Sequence, residues 1–178
     1  YMGNSRVDPC SRVLKRDLAK KWMQENFDPD KSVLYMGIGW DEVHRMESIE
    51  RNWSPYKVDA PLTRPPYLSR PQMIEQCKKL GINPPRLYGL GFSHNNCGGF
   101  CVKAGQGQFR RLLKTFPERY MHHEREQEKL FENIKPHGFL RVTVNNKAKY
   151  LTLKEFREYV EQDGQIDLFD IGGCGCFV

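Results

Sequence analysis

The sequence predicts an α/β fold, a parallel sheet flanked by helices, and three observations carry that expectation. Ser32-Val33-Leu34-Tyr35-Met36-Gly37-Ile38-Gly39 is a short, nearly continuous apolar run, the pattern of a strand buried on both faces in a parallel sheet. It leads straight into Trp40-Asp41-Glu42-Val43-His44-Arg45-Met46, which reads as the start of a helix. On either side lie segments with apolar residues at helical period, and a strand–turn–strand–helix pattern closes the chain from Phe139 onward.

Taken in order, residues 1–9 read as loop. Val13, Leu14, Leu18, Trp22 and Met23 recur at helical spacing with basic residues between them, and Ser11 is placed to cap this helix. Arg12 and Lys15 would then share one side of its first turn, where free N–H groups and the helix dipole favour an anion. The plainer alternative is an ordinary basic helix face. Asp28-Pro29-Asp30 ends the helix before the apolar strand. Ligands of open α/β sheets sit at the carboxyl ends of strands, so Gly37 to Arg45 is the ground for a site, with Arg45 and Arg51 in reach of phosphate or sulfate.

Residues 52–70, with four prolines, read as a long irregular connection of the kind that usually serves function. Ser69 can cap a helix over Pro71 to Leu80 packing Met73, Ile74 and Cys77. Asn83-Pro84-Pro85 breaks the chain. Helices are expected over Gln106–Phe116, with Phe109, Leu112, Leu113 and Phe116 on one face, and from Pro117 onward. His122 and His123 point about 100° apart on that helix and read as a surface pair. Phe139–Val144 alternates as a strand, Asn145-Asn146 turns it toward Ala148–Leu151, and Thr152-Leu153-Lys154-Glu155 is a capping box for a last helix ending at Gly164. The tail from Asp167 to Val178 is apolar enough to dock.

Length and composition bound the rest. At 178 residues the chain is short enough for one domain with an extension, here residues 1–135 and 136–178. It is 39% hydrophobic and 28% charged, with a mean hydropathy of −0.69, so the core is modest. The first residue is Tyr rather than Met, and the chain is expected to be a fragment whose core is completed by upstream residues or a partner chain, a homo-oligomer included. No apolar run is long enough to span a bilayer and nothing reads as a signal peptide, so no membrane partner and a cytoplasmic location are expected. In that setting six cysteines favour metal or redox chemistry over a disulfide framework. A net charge of +6 suits an anionic partner, a phosphorylated small molecule or a nucleic acid.

Gly91-Phe92-Ser93-His94-Asn95-Asn96-Cys97-Gly98-Gly99-Phe100-Cys101 carries the sharpest chemical signal. Gly98 and Gly99 take positive φ freely, so the turn can aim both thiols at one point, as zinc or an iron–sulfur cluster requires. Two ligands are too few, and Cys174-Gly175-Cys176 would complete the set if the tail folds back. The alternatives are a redox-active thiol and small apolar filling by buried cysteine.

Three blocks, in order, resemble the phosphoadenosine phosphosulfate reductase family of the adenine nucleotide α-hydrolase-like (PP-loop) superfamily. They are Cys10-Ser11-Arg12-Val13-Leu14-Lys15, then Gly37-Ile38-Gly39-Trp40-Asp41-Glu42 with Arg45, then Leu87-Tyr88-Gly89-Leu90-Gly91-Phe92 with Cys97 to Cys101. The part after His137 is similar to an extension in phage and bacterial members. The resemblance implies a parallel sheet binding ATP or phosphoadenosine phosphosulfate, with Arg12, Lys15 and Arg45 on phosphate or sulfate and Cys97 and Cys101 as metal or cluster ligands. The family's first strand and Ser-Gly-Gly-x-Asp-Ser phosphate loop are absent from these residues and are expected upstream. So is the family's C-terminal nucleophile motif absent, and CxxxC stands where CxxC is usual.

Two functions follow as expectations. One is a nucleotide-dependent PP-loop enzyme in sulfonucleotide reduction, sulfur transfer or nucleic-acid modification, with a metal centre on Cys97, Cys101, Cys174 and Cys176. In its reductase form, Cys174 or Cys176 is instead a thiolate nucleophile on a mobile tail. The other is a non-catalytic, zinc-stapled basic module that binds nucleic acid with steep salt dependence.

Overall fold

The computed structural model describes residues 9–167 and Asp170, which fall into two compact units, 9–83 and 84–170. The chain is mixed α/β, and its sheets among the described residues are one parallel pair and one antiparallel pair.

The first unit begins with a continuous helical stretch, α1 (Pro9–Ser11), a π-helical segment Arg12–Arg16, and α2 (Asp17–Asn26). Ser11 does not cap it. Its φ and ψ of −66° and −40° are helical and its side chain is buried. Leu14, Leu18 and Trp22, expected to face a core, form an exposed stripe instead, and Met23 is the buried apolar residue of α2. Among the described residues, the buried centre of this unit draws on Ile38, Ile49 and Ala60 and on no residue of this helix, so the apolar stripe has no core to enter.

Strands β1 (Val33–Tyr35) and β2 (Lys57–Asp59) pair in parallel, Leu34 opposite Val58. The 3-10 turn Trp40–Arg45 and helix α3 (Met46–Trp53) connect them, which makes a βαβ crossover. Ile38, Ile49 and Ala60 are its buried centre, with Met36, Met46, Trp53 and Val58 around them. The strand is shorter than the apolar run and is not buried on both faces: Val33 and Tyr35 are exposed. With β2 its one partner among the described residues and a single crossover helix, a two-stranded sheet keeps open surface. Strand β2 and a 3-10 turn, Pro61–Thr63, lie inside the stretch expected to be irregular. A three-residue strand between Pro55 and Pro61 is too short to show alternation. Helix α4 (Arg70–Lys79) follows, its first turn tied by Ser69 donating from both N and Oγ to Gln72 Oε1 at 2.8 Å.

The second unit contains α5 (Arg86–Gly89), a 3-10 turn Asn96–Gly99, α6 (Gln106–Thr115), α7 (Pro117–Phe131), the hairpin β3 (Leu140–Val144) and β4 (Lys147–Leu151), and α8 (Leu153–Glu161). Asn145 and Asn146 make the hairpin turn with φ of 50° and 60°, the left-handed pair such a turn demands. Thr152 and Glu155 form the expected capping box, Thr152 N donating to Glu155 Oε2 at 2.8 Å and Glu155 N to Thr152 Oγ1 at 3.2 Å. Helix α8 ends with Asp163, not Gly164, in the left-handed region.

One core holds the unit together, with Phe109, Leu112, Tyr120, Val142, Leu153 and Phe156 at its fully buried centre. The segment expected to start a separate extension at residue 136 is part of that core, and the division between units falls at Asn83 and Pro84. Buried polar groups join the parts. Tyr120 donates to Leu153 O at 2.7 Å, Leu153 N donates to Gln127 Oε1 at 2.8 Å, and Arg157 makes two 2.9 Å bonds to Glu124. No helix of the described residues is long and apolar enough to cross a membrane.

Candidate functional site

The cysteine loop is built on the core of the second unit. Phe92 is buried and stacks on Phe116 at 6.0 Å between centroids. Phe100 meets Phe109 edge-on at 5.4 Å and stacks on His123 at 3.7 Å. Between these anchors the backbone turns with φ of 50° at Cys97, 62° at Gly98 and 96° at Gly99. A β-carbon at Gly99 would sit 3.1 Å from the Phe92 ring and 3.4 Å from Leu112 Cδ1, so glycine serves both the dihedral and the close approach. Arg119 of α7 lies 5.2 Å over the Phe116 ring and donates to Gly98 O, which fixes the tip of the turn.

The two thiols sit in different surroundings. Cys97 is exposed, whereas Cys101 is buried and belongs to the core. They are two of the four residues expected as ligands of a thiolate centre. Among the described residues no group of three or more His, Cys, Asp and Glu could hold a metal ion. Cys174 and Cys176, expected as further ligands or as the nucleophile, lie outside the described residues. Cys10 is exposed and Cys77 half-buried, both in the first unit. His123 is not a simple surface residue. Its ring stacks on Phe100, and burial, then the neighbouring His122 and Arg119, hold its pKa below the ordinary value.

As far as it is described, the tail packs on the first turn of α6. Asp170 accepts Gln106 N on its carboxylate at 3.2 Å and Gly107 N on its carbonyl at 3.0 Å. Asp167 N donates to Gln106 Oε1 at 3.1 Å. The first turn of α6 is therefore capped from the far end of the chain, and its negative partner suits the helix dipole. A β-carbon at Gly105 would collide with Asp170. Cys101 precedes Gln106 by five residues and Cys174 follows Asp170 by four, a reach of about 14 Å of extended chain. Neither Asp170 nor Arg119 was identifiable from sequence. Each acts on a residue more than twenty positions away, and only the three-dimensional packing pairs them.

The expected anion residues do not assemble as a group. Arg12 and Lys15 lie in the π segment, both exposed, and with Ser11 helical they do not mark a helix N-terminus. Arg51 is 73% exposed and lies 3.5 Å from Glu47. It follows Arg45 by six residues, which on a helix places the two about 120° apart. Arg45 stands alone in its environment. Its side chain is 10% exposed, and Nη1 donates to Glu42 Oε1, while Nε and Nη2 are buried with no partner. It closes the 3-10 turn at the carboxyl end of β1, where the sequence placed a site. Trp40, at the start of that turn, donates from Nε1 to Leu68 O at 3.3 Å and meets Tyr67 edge-on at 6.1 Å, tying the proline-rich segment to it.

Compared with protein-family models, curated proteins and solved structures, the chain matches none.

Proposed function

We propose that the chain is the nucleotide-binding part of a PP-loop enzyme similar to the phosphoadenosine phosphosulfate reductases, acting in sulfonucleotide reduction, sulfur transfer or nucleic-acid modification. The observation that carries this is Arg45, a guanidinium nine-tenths buried with two orphan donors at the carboxyl end of β1 in a βαβ unit. A buried cation with one carboxylate partner and two unmet donors is costly in a resting fold. A phosphate or sulfate oxyanion meets both needs, since guanidinium is suited to binding it in a bidentate manner. The flanked parallel sheet belongs to this reading. Its phosphate loop would come from an upstream segment or a partner chain, and the exposed Leu14–Leu18–Trp22 stripe supplies apolar surface for such a neighbour.

Cys97 and Cys101 would hold half of a zinc or iron–sulfur centre, and the return of the chain to Asp170 supports Cys174 and Cys176 as the other half. Such a centre would staple the loop or handle sulfur. A cytoplasmic location fits reduced thiolates.

The test is calorimetric titration of the chain, and of the chain extended upstream, with ATP and with phosphoadenosine phosphosulfate. Saturable binding lost in Arg45→Met supports the reading. Absence of nucleotide binding by the extended chain, together with steeply salt-dependent binding to DNA or RNA, replaces it with the non-catalytic nucleic-acid module. Metal analysis with a visible spectrum on anaerobically purified protein separates zinc from a cluster.

A further inference from the structure

Helix α6 has two faces of opposite chemistry. Phe109 and Leu112 point into the core, 1% and 0% exposed. The other face carries Gln108, Arg110, Arg111, Lys114 and Thr115, and residues 106–115 include no acidic side chain. With Gly91 and Ser93 of the preceding loop, this face lines a cavity of about 440 Å³, within the range of small-molecule sites.

Three features of the cavity point to an oxyanion. Among the described residues, Arg110, Arg111 and Lys114 have no carboxylate within salt-bridge distance, and all three line the same cavity, whereas Lys79 and Lys129 are each paired with a glutamate of their own helix. Arg111 is pre-positioned: Nη1 donates to Leu90 O at 3.2 Å, and the guanidinium runs along Gly91. A β-carbon at Gly91 would lie 2.5 Å from that nitrogen, and the backbone there has a φ of +78°, so glycine is what admits the side chain. Gln108 is the third feature. It is 2% exposed, accepts Ser93 Oγ on Oε1 at 3.1 Å, and leaves Nε2 buried with no partner. Buried amide donors in folded proteins are almost always satisfied. Gln108 is among the residues that line the cavity, and the charged groups of that lining are all cations.

We propose that this cavity is a phosphate-binding site, taking the phosphoryl group of a phosphorylated ligand. Arg110, Arg111 and Lys114 supply positive charge, while Ser93 and Gln108 supply neutral polar contacts. The site is built from residues of the second unit, whereas Arg45 belongs to the first, and it does not depend on the PP-loop reading.

The experiment is a calorimetric titration of the full chain with inorganic pyrophosphate at low ionic strength. Arg110→Gln/Lys114→Gln alters two exposed side chains with no protein partner, so its fold is expected to persist by circular dichroism. Its pyrophosphate affinity should fall by about tenfold or more, whereas Lys129→Gln, an exposed lysine that does not line the cavity, should leave this binding unchanged. Gln108→Met, which removes the orphan amide from a buried position, should weaken it as well. A short single-stranded oligonucleotide that displaces pyrophosphate assigns the phosphoryl group to a nucleic-acid backbone, and failure to displace it assigns the group to a free small molecule. Either result supports the site. Unchanged affinity in Arg110→Gln/Lys114→Gln, or no saturable binding by the unaltered chain, overturns it.

Discussion

Asp170 and Gln106, 64 positions apart, are joined by a 3.2 Å hydrogen bond from the helix N–H to the carboxylate. This contact caps the helix that follows the cysteine loop, and the Asp170 carbonyl takes the next amide, Gly107 N. Asp170→Ala should therefore cost about 1 kcal/mol of stability, the usual worth of an N-cap side chain, measured by urea unfolding. If the tail brings Cys174 and Cys176 to Cys97 and Cys101, the same variant should also bind metal less tightly. A variant with unchanged stability would show that the cap contributes nothing.

Glu124 and Arg157 form the buried ion pair of the second unit, their side chains 5% and 18% exposed. The two 2.9 Å bonds from Arg157 Nε and Nη2 are bidentate, and Glu161 takes Nη1 at 3.0 Å. Hydrogen bonding to Glu124 and then Glu161 outweighs burial and holds the guanidinium pKa above its usual value. Removing one partner leaves the other charge buried, so Glu124→Ala should destabilise by about 3 kcal/mol. The double variant Glu124→Leu/Arg157→Met should recover most of that loss. Equal destabilisation by the single and double variants would contradict this account of the pair.

Local chemistry was legible in the sequence, and tertiary environment was not. Ser69 with Gln72, Thr152 with Glu155, Pro117 at a helix start and Asn145-Asn146 at a hairpin turn all act within four residues, so their spacing alone reports them. Ser11 failed as a cap because the helix continues upstream of it. The Val33–Tyr35 strand failed as a buried one because burial depends on partners that the strand does not encode. Arg45 was legible by its place after a strand, yet its two orphan donors follow from packing within the βαβ unit. The Asp170 cap had no local signal at all.

His123 gives the second unit a pH dependence whose sign follows from its environment. Burial against Phe100, with His122 and Arg119 nearby, lowers its folded pKa, while the unfolded chain titrates near the ordinary value of about 6.5. Between the two values the unfolded state binds more protons than the folded one. Stability is therefore highest above about pH 6.5 and falls as pH drops through the interval toward the folded pKa. His123→Phe keeps an aromatic ring on Phe100 and should flatten that part of the profile. Urea midpoints of the two proteins across this range make the comparison, and parallel profiles would exclude His123 as the cause.

Arg45→Met separates function from stability most cleanly. Only one of its donors is satisfied, by Glu42, while Nε and Nη2 are buried without partners. An apolar side chain of similar length removes that desolvation cost, and Glu42, whose side chain is 41% exposed, can turn to water. Replacing a buried ion pair by apolar groups is often neutral or stabilising by about 1–4 kcal/mol, so Arg45→Met should unfold at an equal or higher denaturant concentration. Nucleotide or sulfonucleotide should protect the unaltered protein in proportion to RT ln(1 + [L]/Kd) and leave Arg45→Met unprotected. A residue kept only for the fold would show the opposite pattern, a destabilised variant with ligand protection intact.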